Sequence, residues 1–176
     1  MRKLALLTYL SLLQPDIVIA TSVEIHIVSQ LDEYRDYCLD IKGHKFKAKI
    51  DHGMQAHTCY SYQGTIAVDQ GFDPLKLAKS EFFLPAFDVC IEAESLSPSA
   101  SLRLSKCNRN KLQQFTFNRN GRIQTTGENT LCVTVDQGKS RKGGGGTPVH
   151  LKRKLTLEPC SAELKKYQIW GIRQNN

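Results

Sequence analysis

The residues equipped for chemistry in this sequence are six cysteines, five histidines and a few carboxylates, and their spacing argues against catalysis. No C-x-x-C pair is present, and His26, His44, His52, His57 and His150 follow no metal-ligand spacing. No serine sits in a nucleophile-elbow context. Glu92 and Glu94 come nearest to a catalytic carboxylate pair, but two glutamates alternating on one face of a strand are ordinarily just solvated. Gly143 to Gly146 could cradle a phosphate, yet they lack the strand before and the Lys-Ser/Thr and helix after that such a loop needs. The tract Lys139-Ser140-Arg141-Lys142 with these glycines is expected to be a mobile, solvated basic loop. The expectation is therefore no enzyme, no metal and no cofactor.

The cysteines have another use. Residues 1–20 resemble an export signal, with Arg2 and Lys3 before an apolar run from Leu4 to Leu13 that is shorter than the roughly 20 residues of a membrane span. The domain is then residues 21–176, with no membrane span, in a secreted or otherwise extracytoplasmic setting such as a periplasm or cell surface. An even number of cysteines there reads as a disulfide framework, and six allow 15 connectivities. Three divergent repeats, at about 30–83, 84–126 and 127–176, choose among them. Each opens on a cysteine-bearing strand (Cys38-Leu39-Asp40-Ile41, Val89-Cys90-Ile91-Glu92, Leu131-Cys132-Val133-Thr134) and meets a second cysteine further on. The pairs are Cys38 with Cys59, Cys90 with Cys107, and Cys132 with Cys160, each worth about 3 kcal/mol in the chain-entropy description.

The elements that must position these residues are short strands. Val23, Ile25 and Ile27 alternate; Asp73-Pro74 offers one capped helical turn; Glu81 to Glu94 is strand-like with a bend at Pro85; Asn120-Gly121 marks a hairpin. Period two over Lys45 to Ile50 predicts a strand with Lys45, Lys47 and Lys49 on its outer face and Phe46, Ala48 and Ile50 behind. No segment has helical periodicity long enough for a core helix, so the class is all-β. The whole chain carries +7, and residues 21–176 carry +6, which favours an anionic or polyhydroxylated partner over nucleic acid in an exported protein.

Gln113-Gln114-Phe115-Thr116-Phe117 followed by Gly121-Arg122-Ile123, and Gln168-Ile169-Trp170-Gly171-Ile172, resemble the Q-x-W-x-F…G-x-I signature of the ricin-type β-trefoil lectins. Gln63 and Gly71 have the same spacing of eight as Gln113 and Gly121, with Thr65 in the aromatic slot. The resemblance implies a β-trefoil with three disulfide-containing repeats and with Phe115 and Trp170 in the core. It also implies a shallow sugar pocket in the first repeat, lined by Asp40, Gln55 and His57 and closed by Gln63. A carboxylate accepts vicinal hydroxyls, an amide both donates and accepts, and a flat ring covers the apolar face of a pyranose. With Met54 and Ala56 inward, Gln55 and His57 share the outward face. His57 in place of a larger aromatic makes binding sensitive to mild acid. The corresponding positions Glu92, Arg103 and Ser105, and Thr134, Thr156 and Glu158, offer no ring. Lys45, Lys47 and Lys49 stand as candidate contacts for an acidic glycan, and a galactose-type sugar is the neutral counterpart. The alternative is a non-catalytic protein-binding or structural trefoil, such as a carrier subunit of a secreted toxin with a protein partner.

Overall fold

The computed structural model describes residues 22–127, 130–144 and 146–174; the expected export segment lies outside them. In chain order the strands are β1 (Val23–Ile27), β2 (Tyr37–Ile41), β3 (Met54–Thr58), β4 (Phe83–Leu84), β5 (Val89–Ala93), β6 (Leu102–Ser105) and β7 (Phe115–Phe117). They continue as β8 (Ile123–Thr125), β9 (Leu131–Val135), β10 (Arg141–Lys142), β11 (Leu151–Arg153), β12 (Leu155–Pro159) and β13 (Trp170–Gln174). Two α-helical turns, α1 (Pro74–Leu77) and α2 (Lys165–Gln168), and short 3-10 turns complete the regular structure of the described residues. The alternation of Val23, Ile25 and Ile27 buries one face of β1, and β1 pairs along its whole length with β13, so the first and last strands close the barrel.

Three hairpins repeat one geometry. Strands β2–β3, β5–β6 and β9–β12 pair antiparallel, and their registers set Asp40 opposite Gln55, Glu92 opposite Arg103, and Thr134 opposite Thr156. The three disulfides, Cys38–Cys59, Cys90–Cys107 and Cys132–Cys160, each staple one hairpin just past its second strand. The fold is an all-β trefoil of three disulfide-containing repeats. Phe72, Phe115 and Trp170 fill the core at the ends of the repeats: Phe72 exchanges both backbone hydrogen bonds with Val23, Phe115 packs edge-on against Phe82, and the Trp170 indole N–H donates to the Val133 carbonyl at 2.9 Å. These aromatics bury large apolar areas, and the one polar side-chain atom among them, the Trp170 N–H, has its partner.

The Asp73 carboxylate caps α1 by accepting from the Leu75 and Lys76 amides, and the Asn120-Gly121 turn joins β7 to β8, both as the sequence predicts. Other local expectations fail. Lys45 to Ile50 is no strand: Lys45–Lys47 and Ile50–His52 are separate 3-10 turns with no buried residue, and Phe46 is 77% exposed. Alternation without an apolar partner surface for Phe46 and Ile50 does not make a strand. Glu81 to Glu94 is two strands rather than one, since Pro85 ends β4 and the chain returns as β5 to pair with it. The basic tract expected to be a mobile loop instead places Arg141 and Lys142 in β10, paired with β11.

Candidate functional site

One glutamine recurs in every repeat at the same structural position. Gln113 donates to the Glu92 carboxylate (2.9 Å) and the Lys106 carbonyl (2.9 Å), and accepts from the Asn108 and Arg109 amides. Gln168 donates to the Thr134 hydroxyl (3.0 Å) and the Pro159 carbonyl (3.0 Å), and accepts from the Ser161 amide. In the first repeat this work falls to Gln70: it donates to Asp40 Oδ2 (3.0 Å) and the Thr58 carbonyl (3.1 Å) and accepts from the Tyr60 amide (3.0 Å). The glutamine thus ties the cysteine-bearing strand to the chain around the second cysteine, using all its main hydrogen-bonding capacity in a buried setting. The first-repeat motif is therefore Gln70-Gly71-Phe72, not the frame starting at Gln63. Gln63 is exposed and donates to the Tyr62 hydroxyl, away from Asp40.

Asp40 and Gln55 meet, as their cross-strand register dictates: Gln55 Nε2 donates to Asp40 Oδ1 at 2.7 Å. Both oxygens of Asp40 are thus held by amides, and Asp40 is only 1% exposed. Burial, reinforced by the neighbouring Asp69 carboxylate, raises the Asp40 carboxyl well above its usual range. Asp69 is itself buried and raised, burial being the main cause; its Oδ2 accepts from the Lys45 backbone amide, while Oδ1 has no partner. The expected sugar pocket is not a shallow open one.

His57 lies two residues beyond Gln55 on the same face of β3, yet all five residues of the strand are buried. Its Nδ1 lies 3.1 Å from the Thr58 carbonyl, and the Tyr60 ring stacks on it at 5.4 Å between centroids. His150 meets His57 edge-on at 5.2 Å, and its Nε2 is 2.7 Å from the Tyr62 hydroxyl. Gly143 presses close enough that a Cβ there would sit 2.7 Å from His57 Nε2. Burial lowers the His57 pKa to about 4, so the imidazole is neutral through mild acid, and the expected switch near the ordinary histidine pKa does not arise from this residue. His44 and Lys45 close the other side of Tyr60, with His44 Nδ1 at 3.3 Å from its hydroxyl and Lys45 Nζ over its ring.

The other two repeats are built differently at the same position. Burial would raise Glu92, but hydrogen bonds from Asn110, Arg103 and Gln113 outweigh it and hold the carboxyl below its usual range; Arg103 approaches it to 2.6 Å. Thr134 supplies only a hydroxyl, bonded to Gln168 and the Cys132 carbonyl. Arg35 anchors the wall beside the first-repeat set. Its guanidinium grips Glu33 through two 2.7 Å hydrogen bonds, donates to the Pro148 and Val149 carbonyls, and lies over the Tyr34 and Tyr62 rings.

The structure thus brings together Asp40, Gln55 and His57, leaves Gln63 outside, and adds Tyr60, Asp69 and Gln70. Gln70-Gly71-Phe72 carries a legible Gln-x-aromatic signal, but it stands 11 residues after Cys59, against 6 and 8 for its counterparts after Cys107 and Cys160.

A closed trefoil with a polar cluster on the first-repeat strands defines a β-trefoil of lectin type. The sequence model of the Ricin-type beta-trefoil lectin domain matches residues 26–153, and the chain belongs to that family. Among solved structures it is similar to the agglutinin from Abrus precatorius, with a TM-score of 0.55 and 14% identity over 88% of this chain and 48% of that one. It is also similar to the Vibrio vulnificus hemolysin/cytolysin β-trefoil lectin, solved with N-acetyl-D-lactosamine bound, with a TM-score of 0.54 and 15% identity over 89% of this chain and 97% of that one. The chain spans about half the length of the Abrus chain, and both likenesses speak to the fold. A search of curated proteins returned no match. Among the described residues, no helix is long and apolar enough to cross a membrane.

Proposed function

We propose that the protein is a secreted, non-enzymatic carbohydrate-binding module with one sugar site in the first repeat, formed by Asp40, Gln55 and His57 with Asp69 beside them. The observation that carries this reading is that, of three equivalent strand positions, only Asp40 holds a carboxylate with no cation against it. A carboxylate with no cationic partner can exchange its Gln55 bond for a sugar hydroxyl while Gln70 stays in its structural place; one paired with arginine, as Glu92 is, cannot do so without leaving a charge uncompensated. Three disulfides and the signal-like residues 1–20 support an extracytoplasmic location, whether medium, periplasm or cell surface.

Binding at this site requires Tyr60 to leave the His57 face, and with it the Lys45–Lys47 turn, which is held to Tyr60 through His44 and Lys45 and to Asp69 through the Lys45 amide. That turn buries no residue, so lifting it exposes little apolar surface, and the cost of opening falls on the buried Tyr60 ring. Lys45 and Lys47 travel with that turn, Lys49 follows it in the chain, and an acidic sugar at Asp40 would meet them where a galactose-type sugar would not use them.

A second reading, a protein-binding or structural trefoil such as a carrier subunit of a secreted toxin, draws on one observation: Asp40 is buried, with both carboxylate oxygens already held by Gln55 and Gln70. A glycan array with the disulfide-intact protein displayed multivalently, beside its Asp40→Asn variant, separates the two. The carbohydrate reading expects a defined glycan set that binds the parent and fades at least tenfold in the variant. Equal binding by a folded variant, or silence from both, assigns the cluster to structure.

A further inference from the structure

Next to the closed cluster lies an open groove of ≈ 520 Å³, bounded by β10, β11, the start of β12 and Lys42. A smaller cleft of ≈ 320 Å³ adjoins it, and both are lined by Lys42, Gln55 and Lys152. The sheet explains the continuity. Arg141 lies opposite Lys152, Lys152 opposite His57, and on the next strand pair Asp40 lies opposite Gln55; since i and i+2 share a face, one surface runs from Asp40 to Arg141. The cationic end of that surface is not the lysine row expected from sequence, for Lys45, Lys47 and Lys49 do not line the groove.

We infer that this groove is an anion-binding subsite for a linear acidic saccharide, with Lys42, Arg141, Lys152 and Lys154 taking its sulfate or carboxylate groups. Among the described residues, none of these four cations is in an ion pair. Arg153 also reaches the groove but is committed to Asp32 at 2.8 Å. Two carboxylates also line it, Asp136, which accepts from the Gly138 amide, and Glu158, which accepts from the Thr156 hydroxyl, so the four unpaired cations outnumber them two to one. Like charges placed directly across a ladder destabilise it, and an anion lying between Arg141 and Lys152 would relieve that repulsion. Gln55, Ser99, Ser101 and Thr156 add neutral hydrogen-bonding groups along the same wall, which suits a hydroxylated chain. No Phe, Tyr or Trp lines either the groove or the adjoining cleft, whose only rings are the His52 and His57 imidazoles, so the surface lacks the large stacking platforms of a single-stranded nucleic-acid site. The inference rests on the carbohydrate reading for the class of ligand, but not on the Asp40 site being open.

The test is calorimetric titration of the disulfide-intact protein with a heparin-derived sulfated octasaccharide, an unsulfated uronate octasaccharide and a neutral octasaccharide. Binding is expected to at least one acidic chain and not to the neutral one, weakening steeply as salt rises. Arg141→Gln with Lys152→Gln should weaken it at least tenfold without lowering the melting temperature, and Lys42→Gln alone should weaken it several-fold. Lys165→Gln with Lys166→Gln, outside the groove, removes the same charge and should change the affinity by less than twofold. The sulfated and uronate arms tell which anion the groove takes. Absence of acidic-chain binding overturns the inference. So does equal loss in both double variants, equal binding of the neutral chain, or equally tight, Arg141-dependent binding of a single-stranded oligonucleotide. The Asp40→Asn variant should keep octasaccharide binding, so failure of the groove and failure of the first-repeat site are read separately.

Discussion

Replacing Arg35 with alanine removes the counter-charge of Glu33, a carboxylate only 2% exposed. In the intact protein the guanidinium Nε and one Nη each donate to Glu33 at 2.7 Å, the Thr58 hydroxyl donates at 2.6 Å, and the guanidinium also serves the Pro148 and Val149 carbonyls. Breaking a buried ion pair from one side costs about 3–5 kcal/mol, because the remaining charge is left uncompensated. Denaturant titration, followed by the fluorescence of the sole and buried Trp170, should show that loss at pH 7. The pH dependence sharpens the test. Burial alone would raise Glu33, and Arg35 with Thr58 holds it below its usual range, so in the parent the contribution is present above the unfolded pKa and fades as pH falls through the folded one. In the variant, burial acts with only the Thr58 hydroxyl and the residue-35 backbone amide to oppose it and the folded pKa rises, so the deficit should shrink at pH 4, where the carboxyl takes up a proton. The companion Glu33→Gln in the Arg35→Ala background should recover part of the loss at pH 7. A deficit below about 1 kcal/mol, the range of exposed pairs, or one equal at both pH values, refutes the reasoning.

Two further outcomes follow from geometry. His57 is depressed to about 4 by burial, so its neutral form supports the fold above the ordinary histidine pKa and that support fades as pH falls toward 4, by up to about 3 kcal/mol. His57→Gln should flatten this part of the stability profile between pH 7 and 4.5, and an unchanged slope would place the acid sensitivity elsewhere. Gly53→Ala forces a residue with φ 72° to carry a Cβ that would lie 2.7 Å from the Leu102 carbonyl oxygen, so a loss of about 1–3 kcal/mol is expected by thermal or denaturant unfolding, and a neutral result would show that the first two repeats separate there easily.

The architecture was legible because three levels of pattern agreed. The cysteine-bearing strands set the hairpins, the repeats chose the disulfides, and Phe115 and Trp170 marked the core. The site was legible only in part. Strand alternation put Gln55 and His57 on one face, and Asp40 meets Gln55 through cross-strand register, but alternation reports direction and not what lies above the face. Here Tyr60, His150 and Gly143 lie above it, brought from 3, 93 and 86 residues away from His57 in sequence. The lysine row misled for the same reason: Phe46 and Ile50 had no sheet neighbour waiting for them. Gln70 is hard to read from sequence because the loop after Cys59 is longer than its counterparts, and Gln63 with Gly71 imitates the spacing of Gln113 with Gly121.

The order of the disulfides has a consequence for how the chain is made. Each cysteine pairs with the next one along, first with second, third with fourth, fifth with sixth. As the polypeptide emerges from its N-terminus, every thiol therefore finds its proper partner before a wrong one has been synthesised, and an oxidant acting on the growing chain closes the three loops in turn without reshuffling. The barrel is different. Its first strand waits for its last, so three correctly oxidised hairpins exist before any of them is enclosed.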